Sequence, residues 1–283
     1  MSKLTTTDHD RDSAGLTYVY PVISRRSGGL SIGINLNPNQ ACNWQCVYCQ
    51  VPNLIRGAAP KIDLLRLTNE LSELLESIEH GNFYERYLLP KEQRKICDIA
   101  ISGNGEPTSC REFDTVVEII GQIYRKFELF ESANLILITN GSLILRPEVQ
   151  RGLSIWAKLG GRVWFKLDSA TEEGRHRINN FRFSQQNMLR YLKMCARLCP
   201  TWIQTCLFAF DGQPPTEAEQ QAYLYLLAEV QHWENPVKGV LLYGLARPSR
   251  QPEAPRLSRL SSSWLEIMGR KVNQIGLSVS ISD

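Results

Sequence analysis

Leu30-Ser31-Ile32-Gly33-Ile34-Asn35-Leu36 runs into Asn37-Pro38-Asn39 and then into Cys42-Asn43-Trp44-Gln45-Cys46-Val47-Tyr48-Cys49. In the first stretch Leu30, Ile32, Ile34 and Leu36 share one face of a strand by the two-residue period. Asn37-Pro38-Asn39 breaks that strand, so the cysteines sit on a loop just past its C-terminal end. Their spacing is C-x3-C-x2-C. Three thiolates this close suit a soft metal or an iron–sulfur cluster. A [4Fe–4S] cluster ordinarily takes four cysteines, and the next one here, Cys97, is far along the chain. Three ligands leave one iron open to something else. The competing reading is a zinc site, yet zinc sites usually pair two C-x2-C-like elements, and no second pair or histidine neighbour is evident.

The rhythm of strand followed by polar motif repeats downstream. Asp63 can cap a helix whose Leu64, Leu67, Leu71, Leu74 and Leu75 fall on one stripe, with Ile78 extending it. Residues 79–95 read as a helix end and loop. Ile96-Cys97-Asp98-Ile99-Ala100-Ile101 is a second strand that ends in Ser102-Gly103-Asn104-Gly105-Glu106-Pro107. Ser109-x-x-Glu112 reads as a capping box for a helix burying Val116, Val117, Ile120 and Ile123. A strand over 135–138 ends in Thr139-Asn140-Gly141, and Pro147 opens a helix that Gly160-Gly161 stops. A strand over 163–167 ends in Asp168-Ser169, and a polar loop leads to a helix over 184–198. The fifth strand covers 202–208, and Thr216-x-x-Glu219 caps the next helix. The sixth covers 237–243 and ends in Gly244-Leu245-Ala246-Arg247-Pro248; a helix over 262–272 and a short strand over 277–281 close the chain.

Six βα units in series imply an α/β fold with a parallel sheet and right-handed crossovers. Six is too few for a closed eight-stranded barrel, which makes a partial (β/α)6 TIM-like barrel with short N- and C-terminal extensions the expected architecture. Chemistry in such folds lies at the C-terminal strand ends. The cysteines, the Gly-Glu-Pro turn, Asn140, Asp168 and Arg247 all fall there. Residues 17–283 show no composition break and read as one core domain. Residues 1–16, polar and carrying Asp8, Asp10 and Asp12, read as a disordered tail without the apolar stretch of a secretory signal. The net charge of +3 is too small to demand a nucleic-acid partner, and no apolar run approaches the ~20 residues that span a membrane. Eight cysteines without a signal point to a reducing, cytoplasmic setting.

Cys42-x3-Cys46-x2-Cys49, with aromatic Tyr48 before the last cysteine, resembles the signature of the radical S-adenosylmethionine (radical SAM) superfamily. Asn104-Gly105-Glu106-Pro107 resembles that family's Gly-Gly-Glu-Pro motif, with Asn104 in place of the first glycine and Gly103 just before it. Thr139-Asn140-Gly141 and Leu167-Asp168-Ser169 resemble strand-end segments of the branch that holds the molybdenum-cofactor cyclase and wyosine-synthase-like proteins. The resemblance covers about residues 30–250. It implies a [4Fe–4S] cluster on Cys42, Cys46 and Cys49, and SAM chelating the open iron. It further implies reductive cleavage of SAM to methionine and a 5′-deoxyadenosyl radical that abstracts hydrogen from substrate. Tyr48 would then lie near the adenine, and Gly105-Glu106-Pro107 would meet the methionyl amine. Asn140, Asp168 and Ser169 would serve the ribose, the carboxylate or the substrate. The cofactor carries the radical chemistry while the fold positions and shields it. The chain carries no appended flavin domain, so a separate one-electron reductant, flavodoxin- or ferredoxin-like, is expected.

The substrate stays open between a modified tRNA base, a peptide and a small nucleotide. Arg247, Arg250, Arg256 and Arg259 face only Glu253 along their segment and suit a phosphorylated or RNA substrate as readily as a solvated surface loop. The reading from another class is a non-enzymatic iron–sulfur carrier or a zinc-stabilised binding module. Cys97, Cys110, Cys195, Cys199 and Cys206 read as buried small apolar residues rather than an auxiliary cluster. Asp168 and Asn140 have an equally simple reading as turn residues. His176, between Arg175 and Arg177, reads as a solvated residue, and alternation alone leaves the direction of Lys166 undecided.

Overall fold

The computed structural model describes residues 4, 14–24 and 28–282. In chain order, strands β1 (Val19–Ser24) and β2 (Gly29–Asn35) form a hairpin, and two-residue strands β3 (Ala41–Cys42) and β4 (Ile55–Arg56) pair beyond it. Helices α1 (Leu64–Glu79) and α2 (Phe83–Arg86) lead to β5 (Ile96–Ser102), then α3 (Phe113–Lys126), β6 (Asn134–Thr139), α4 (Pro147–Lys158) and β7 (Arg162–Lys166). There follow α5 (Glu172–Asn179), α6 (Gln185–Leu198), β8 (Thr201–Cys206), β9 (Ala209–Phe210), α7 (Glu217–Val230), β10 (Val240–Tyr243), β11 (Leu257–Ser258), α8 (Ser262–Gln274) and β12 (Val279–Ser282). The main sheet has eight strands in the order β1-β2-β5-β6-β7-β8-β10-β12. From β2 onward every neighbouring pair is parallel, as serial βα units require. The curled sheet is the expected partial barrel.

Side-chain alternation sets the two faces of the sheet. Leu30, Ile32 and Ile34 of β2, Ile99 and Ile101 of β5, and Val163 and Phe165 of β7 are almost wholly buried. They pack in one core cluster with Leu67 and Leu71 of α1, Val116 and Ile120 of α3, and Leu153 and Trp156 of α4. The alternate residues, among them Ser31, Asp98, Ile136, Lys166, Gln204 and Tyr243, line a cavity inside the curl. The apolar face recognised in the sequence therefore faces the helices, and the polar face lines the bore. This also settles Lys166, which points inward.

Three local expectations meet a different outcome. An antiparallel strand, β1, precedes the first expected one and lengthens the sheet at its edge. Its Pro21 is tolerated there because an edge strand can forgo an N–H. Residues 172–179, read as polar loop, form α5, capped by the Thr171 hydroxyl accepting from the Gly174 N–H at 3.0 Å. The Ser109/Glu112 box does not form. Ser109 donates instead to the Glu106 carbonyl at 2.6 Å and accepts from the Ala59 N–H, and α3 starts without a side-chain cap. The Thr216/Glu219 box does form. The expected tail over 1–16 lies mostly outside the described residues; Leu4 within it is buried against the main core. Among the described residues no helix is long and apolar enough to cross a membrane.

Tyr20 of β1 lies flat on its register partner Gly33 and reaches across to Ser102, its hydroxyl 3.0 Å from that of Ser102. A Cβ at position 33 would stand 2.1 Å from the Tyr20 ring. Gly33→Ala should therefore cost about 1–3 kcal/mol in urea unfolding through overpacking. In a Tyr20→Ala background the same change should cost less than half as much. Equal costs in both backgrounds would show that the tyrosine does not select the glycine.

Candidate metal and cofactor site

A cavity of about 340 Å3 opens at the C-terminal ends of the parallel strands. Cys42, Cys46, Cys49 and Tyr48 line it from the cysteine loop, Asn104, Gly105 and Glu106 from the end of β5, and Asn140 from the end of β6. Lys166, Cys206 and Arg247 line it further round. Eight of the eleven residues singled out in the sequence thus converge. Pro107 is buried behind the turn, while Asp168 and Ser169 face an adjoining cavity of about 300 Å3 that shares Cys206 as a wall.

The loop is fixed by backbone hydrogen bonds to segments that are remote in sequence. The N–H groups of Gln45 and Val47 donate to the carbonyls of Asn179 (3.1 Å) and Ile178 (2.8 Å), at the C-terminal end of α5. On the other side the Ser249 hydroxyl donates to the Val47 carbonyl at 2.6 Å, and the Arg250 N–H to the Cys49 carbonyl at 2.9 Å. Asn140 grips the loop from β6. Its amide donates to the Asn43 carboxamide at 2.9 Å, and Asn43 donates in turn to Ser142 at 2.7 Å. The turn chemistry expected of Asn140 and its place at the site are thus one arrangement.

The thiols themselves receive N–H donors. The Trp44 amide lies 3.4 Å from Cys42 Sγ, and Asn179 Nδ2 lies 3.2 Å from Cys46 Sγ. Burial nevertheless pushes the Cys42 thiol up to about 12, against the opposing pull of the Trp44 amide. Burial, then the charge of Asp168, raises Cys46 as well. Both thiols therefore hold their protons until a metal displaces them.

Glu106 is 3% exposed, and its carboxylate is fully engaged by the protein. One oxygen accepts from the Thr108 amide (3.0 Å), the Thr108 hydroxyl (2.6 Å) and the Thr139 hydroxyl (2.6 Å), and the other from the Asn140 amide (2.7 Å). Burial raises its pKa, and the four donors oppose that rise. The side chain thus ties the end of β5 to the end of β6 and fixes the turn facing the cysteines. Gly105 is required by close approach: a Cβ there would lie 2.0 Å from the Ala41 carbonyl oxygen, at the root of the cysteine loop. Asn104 needs no glycine, because the positive φ of this turn, +136°, falls on Gly103.

Opposite the turn, Tyr48 donates to Asp168 at 2.5 Å, and Asn179 donates to the same carboxylate oxygen at 2.7 Å. The other oxygen of Asp168 accepts from the Cys206 amide at 2.9 Å. Lys166 donates to the Tyr243 hydroxyl at 2.8 Å and sits 5.0 Å from the centre of the Tyr48 ring. Burial alone would lower its pKa, but the Asp168 charge outweighs this and holds it above the usual lysine value. The cavity therefore contains a fixed ammonium. Asn179, Asn43, Ser249 and Tyr20 carried no periodic signal in the sequence, since each acts through a contact between remote segments.

The residues fit a cluster better than a single ion. Among the described residues no three His, Cys, Asp or Glu side chains converge as ligands of one metal ion. A cluster spreads its thiolates over separate irons, so its ligands need not converge. Trp44 is 3% exposed and lines the cavity, and its indole N–H has no acceptor among the described residues. A sulfide or a bound carboxylate would supply one. Of the remaining cysteines, Cys110 is buried in the main core as expected, whereas Cys97 is only partly buried. Cys195 and Cys199 are buried in the main core, while Cys206 packs with Val47, Tyr48, Phe208 and Leu245. His176 is exposed on α5. In the arginine segment Arg256 pairs with Asp211 at 2.6 Å, a partner remote in sequence, and Arg259 donates to the Ala246 carbonyl.

A family model described as the radical SAM superfamily matches residues 36–220. The UPF0026 protein MJ1312 of Methanocaldococcus jannaschii is 30% identical over 159 residues, covering 56% of this chain and 42% of that protein. The chain spans about half or less of the curated relatives it matches, from 17% to 52% of their length. Among solved structures, a radical SAM methyltransferase from Sphaerobacter thermophilus superposes with a TM-score of 0.59 at 14% identity, over 96% of this chain and 79% of that one. TYW1 with a lysine–pyruvate adduct bound gives a TM-score of 0.53 at 13% identity, over 89% and 74%. At such identities the likeness is one of fold.

The four-donor shell around Glu106 can be tested in the metal-free protein. Glu106→Gln turns an NH2 group toward backbone and hydroxyl donors and should lower unfolding stability by about 1–3 kcal/mol. A loss below about 0.5 kcal/mol, the range of an ordinary surface change, would contradict the positioning role.

Proposed function

The chain belongs to the radical SAM superfamily, whose enzymes use a [4Fe–4S] cluster and SAM, and on that premise we propose that Cys42, Cys46 and Cys49 hold the cluster. The observation that carries this is the set of three thiols lining one cavity, with N–H donors from Trp44 and Asn179 on two of them. When bound, the cluster and SAM supply reductive SAM cleavage and hydrogen abstraction from a substrate. The protein's part is to place them. Asn140 and the end of α5 hold the loop, Glu106 fixes the turn whose backbone faces the methionyl end, and Tyr48, held by Asp168 from behind, serves the nucleoside end. Lys166 keeps a positive charge in the wall of the cavity.

For substrate we favour a nucleobase presented by an RNA. The bore beneath the cysteine loop offers both hydrogen-bonding groups (Ser31, Asp98, Gln204) and aromatic faces (Trp164, Tyr243), which is how a splayed-out base is recognised. Arg247 at the mouth suits a phosphate.

Anaerobic reconstitution should load about four irons per chain, and dithionite should then drive SAM cleavage to 5′-deoxyadenosine. Cys46→Ala should abolish both, whereas Cys206→Ser, across the same cavity, should retain both. If Cys206→Ser lost the cluster as completely as Cys46→Ala, the site would be a four-thiolate carrier instead.

A further inference from the structure

One charge in the bore is left without a counterion. Among the described residues Lys166 and Lys271 are the only lysines that are not exposed. Lys271 lies 3.6 Å from Glu217 and donates to Gln220. Lys166, at the end of β7, lines the cavity, and its ammonium makes one hydrogen bond among the described residues, to the Tyr243 hydroxyl at 2.8 Å. The carboxylates nearby are engaged elsewhere. Asp168 is taken by Tyr48, Asn179 and the Cys206 amide, Glu106 by its four donors, and Asp98 accepts from Ser31. The register partner of Lys166 on β8 is Gln204, which lines the same cavity. Gln204 is 2% exposed, and its carboxamide has no hydrogen-bond partner among the described residues. An ammonium carries three N–H donors and a carboxamide two. A buried charge and a buried amide left this way are costly unless a ligand completes them.

We propose that Lys166 and Gln204 form a carboxylate subsite in the bore, so that the base entering the barrel, as assigned above, is a planar ring carrying its own acid group. Side by side on adjacent strands, the ammonium and the carboxamide can each meet one oxygen of a carboxylate. The rings of Tyr48 and Tyr243, 5.0 and 5.4 Å from the ammonium, wall the same space together with Trp164 and suit a flat ring. A backbone phosphate stays outside when a base is extruded, which leaves it to Arg247 at the mouth. The methionyl carboxylate of SAM belongs to the Glu106 turn, at the end of β5 rather than β7. Because the Asp168 charge keeps Lys166 protonated, the side chain holds an anion and does not attack a carbonyl as a free amine.

The test is calorimetric titration of the reconstituted protein, with SAM present, using orotate and benzoate as acids and uracil and benzamide as their neutral counterparts. Each acid should bind about tenfold or more tightly than its counterpart. Lys166→Met should remove that preference and leave the neutral probes unchanged. Gln204→Leu, which keeps the ammonium, should weaken the acids about threefold or more and provides the test if Lys166→Met fails to fold. Equal affinities of acid and neutral probe, no binding of either acid, or acid binding that neither substitution weakens would overturn the proposal. Inorganic phosphate binding more tightly than both acids would assign the subsite to phosphate and overturn it. Loss of SAM binding in Lys166→Met with the acids unaffected would assign the ammonium to the cofactor and overturn it too. A protein that assembles no cluster contradicts the proposed function itself, and the same titrations of the metal-free chain then decide the subsite. A missing acid preference in protein loaded with cluster and SAM contradicts this inference alone.

Discussion

The cysteine loop is held as an added edge against the end of α5. Two backbone amides, of Gln45 and Val47, meet two carbonyls, of Asn179 and Ile178, with Asn179 also donating to Cys46 Sγ. The middle of the loop, with Cys46 in it, takes its position from this contact. A short loop with three thiols and no regular structure would sample many conformations, and binding would then have to offset the lost entropy. Here backbone bonds remove that freedom beforehand, from α5 on one side and from Ser249 and Arg250 on the other.

A second constraint aligns the loop with the strand ends. The buried carboxylate of Glu106 collects donors from Thr108, Thr139 and Asn140, joining two strands. Asn140 then passes the alignment to Asn43 within the cysteine loop. A carboxylate buried without such donors would be strongly disfavoured. With them it becomes a rigid node. The Tyr48–Asp168–Asn179 group does the same on the opposite wall, so the cavity is braced from both sides.

Much of this was legible in the sequence because it is carried by local patterns. Period-two alternation located the parallel strands, and Pro147 and the Thr216/Glu219 pair located helix starts. The cysteine spacing and the Gly-Glu-Pro turn marked the rim of the barrel. What escaped is carried by contacts between remote segments. β1 was hidden by Pro21, which weakens a strand signal yet is harmless at an edge. α5 was hidden by its polar composition; its stability comes from the Thr171 cap and from buried Arg175, which donates to the carbonyls of Ala170 and Phe183. The Ser109/Glu112 pattern had the right spacing, but Ser109 is occupied by Glu106 and Ala59. Lys166 needed the register of β7 against its neighbours before its direction could be read. The strand-end residues Asp168 and Glu106 were correctly located, but their engagement by other side chains could only be seen in three dimensions.

The central claim is that three thiolates leave one coordination position of the cluster for SAM. Low-temperature electron paramagnetic resonance of the dithionite-reduced, reconstituted protein, recorded with and without SAM, tests it most directly. A cluster with an open iron should show a signal whose g-values shift on adding SAM, and the shift should persist in Cys206→Ser. A signal that SAM leaves unchanged would mean that all four irons already have protein ligands, and the account would be wrong.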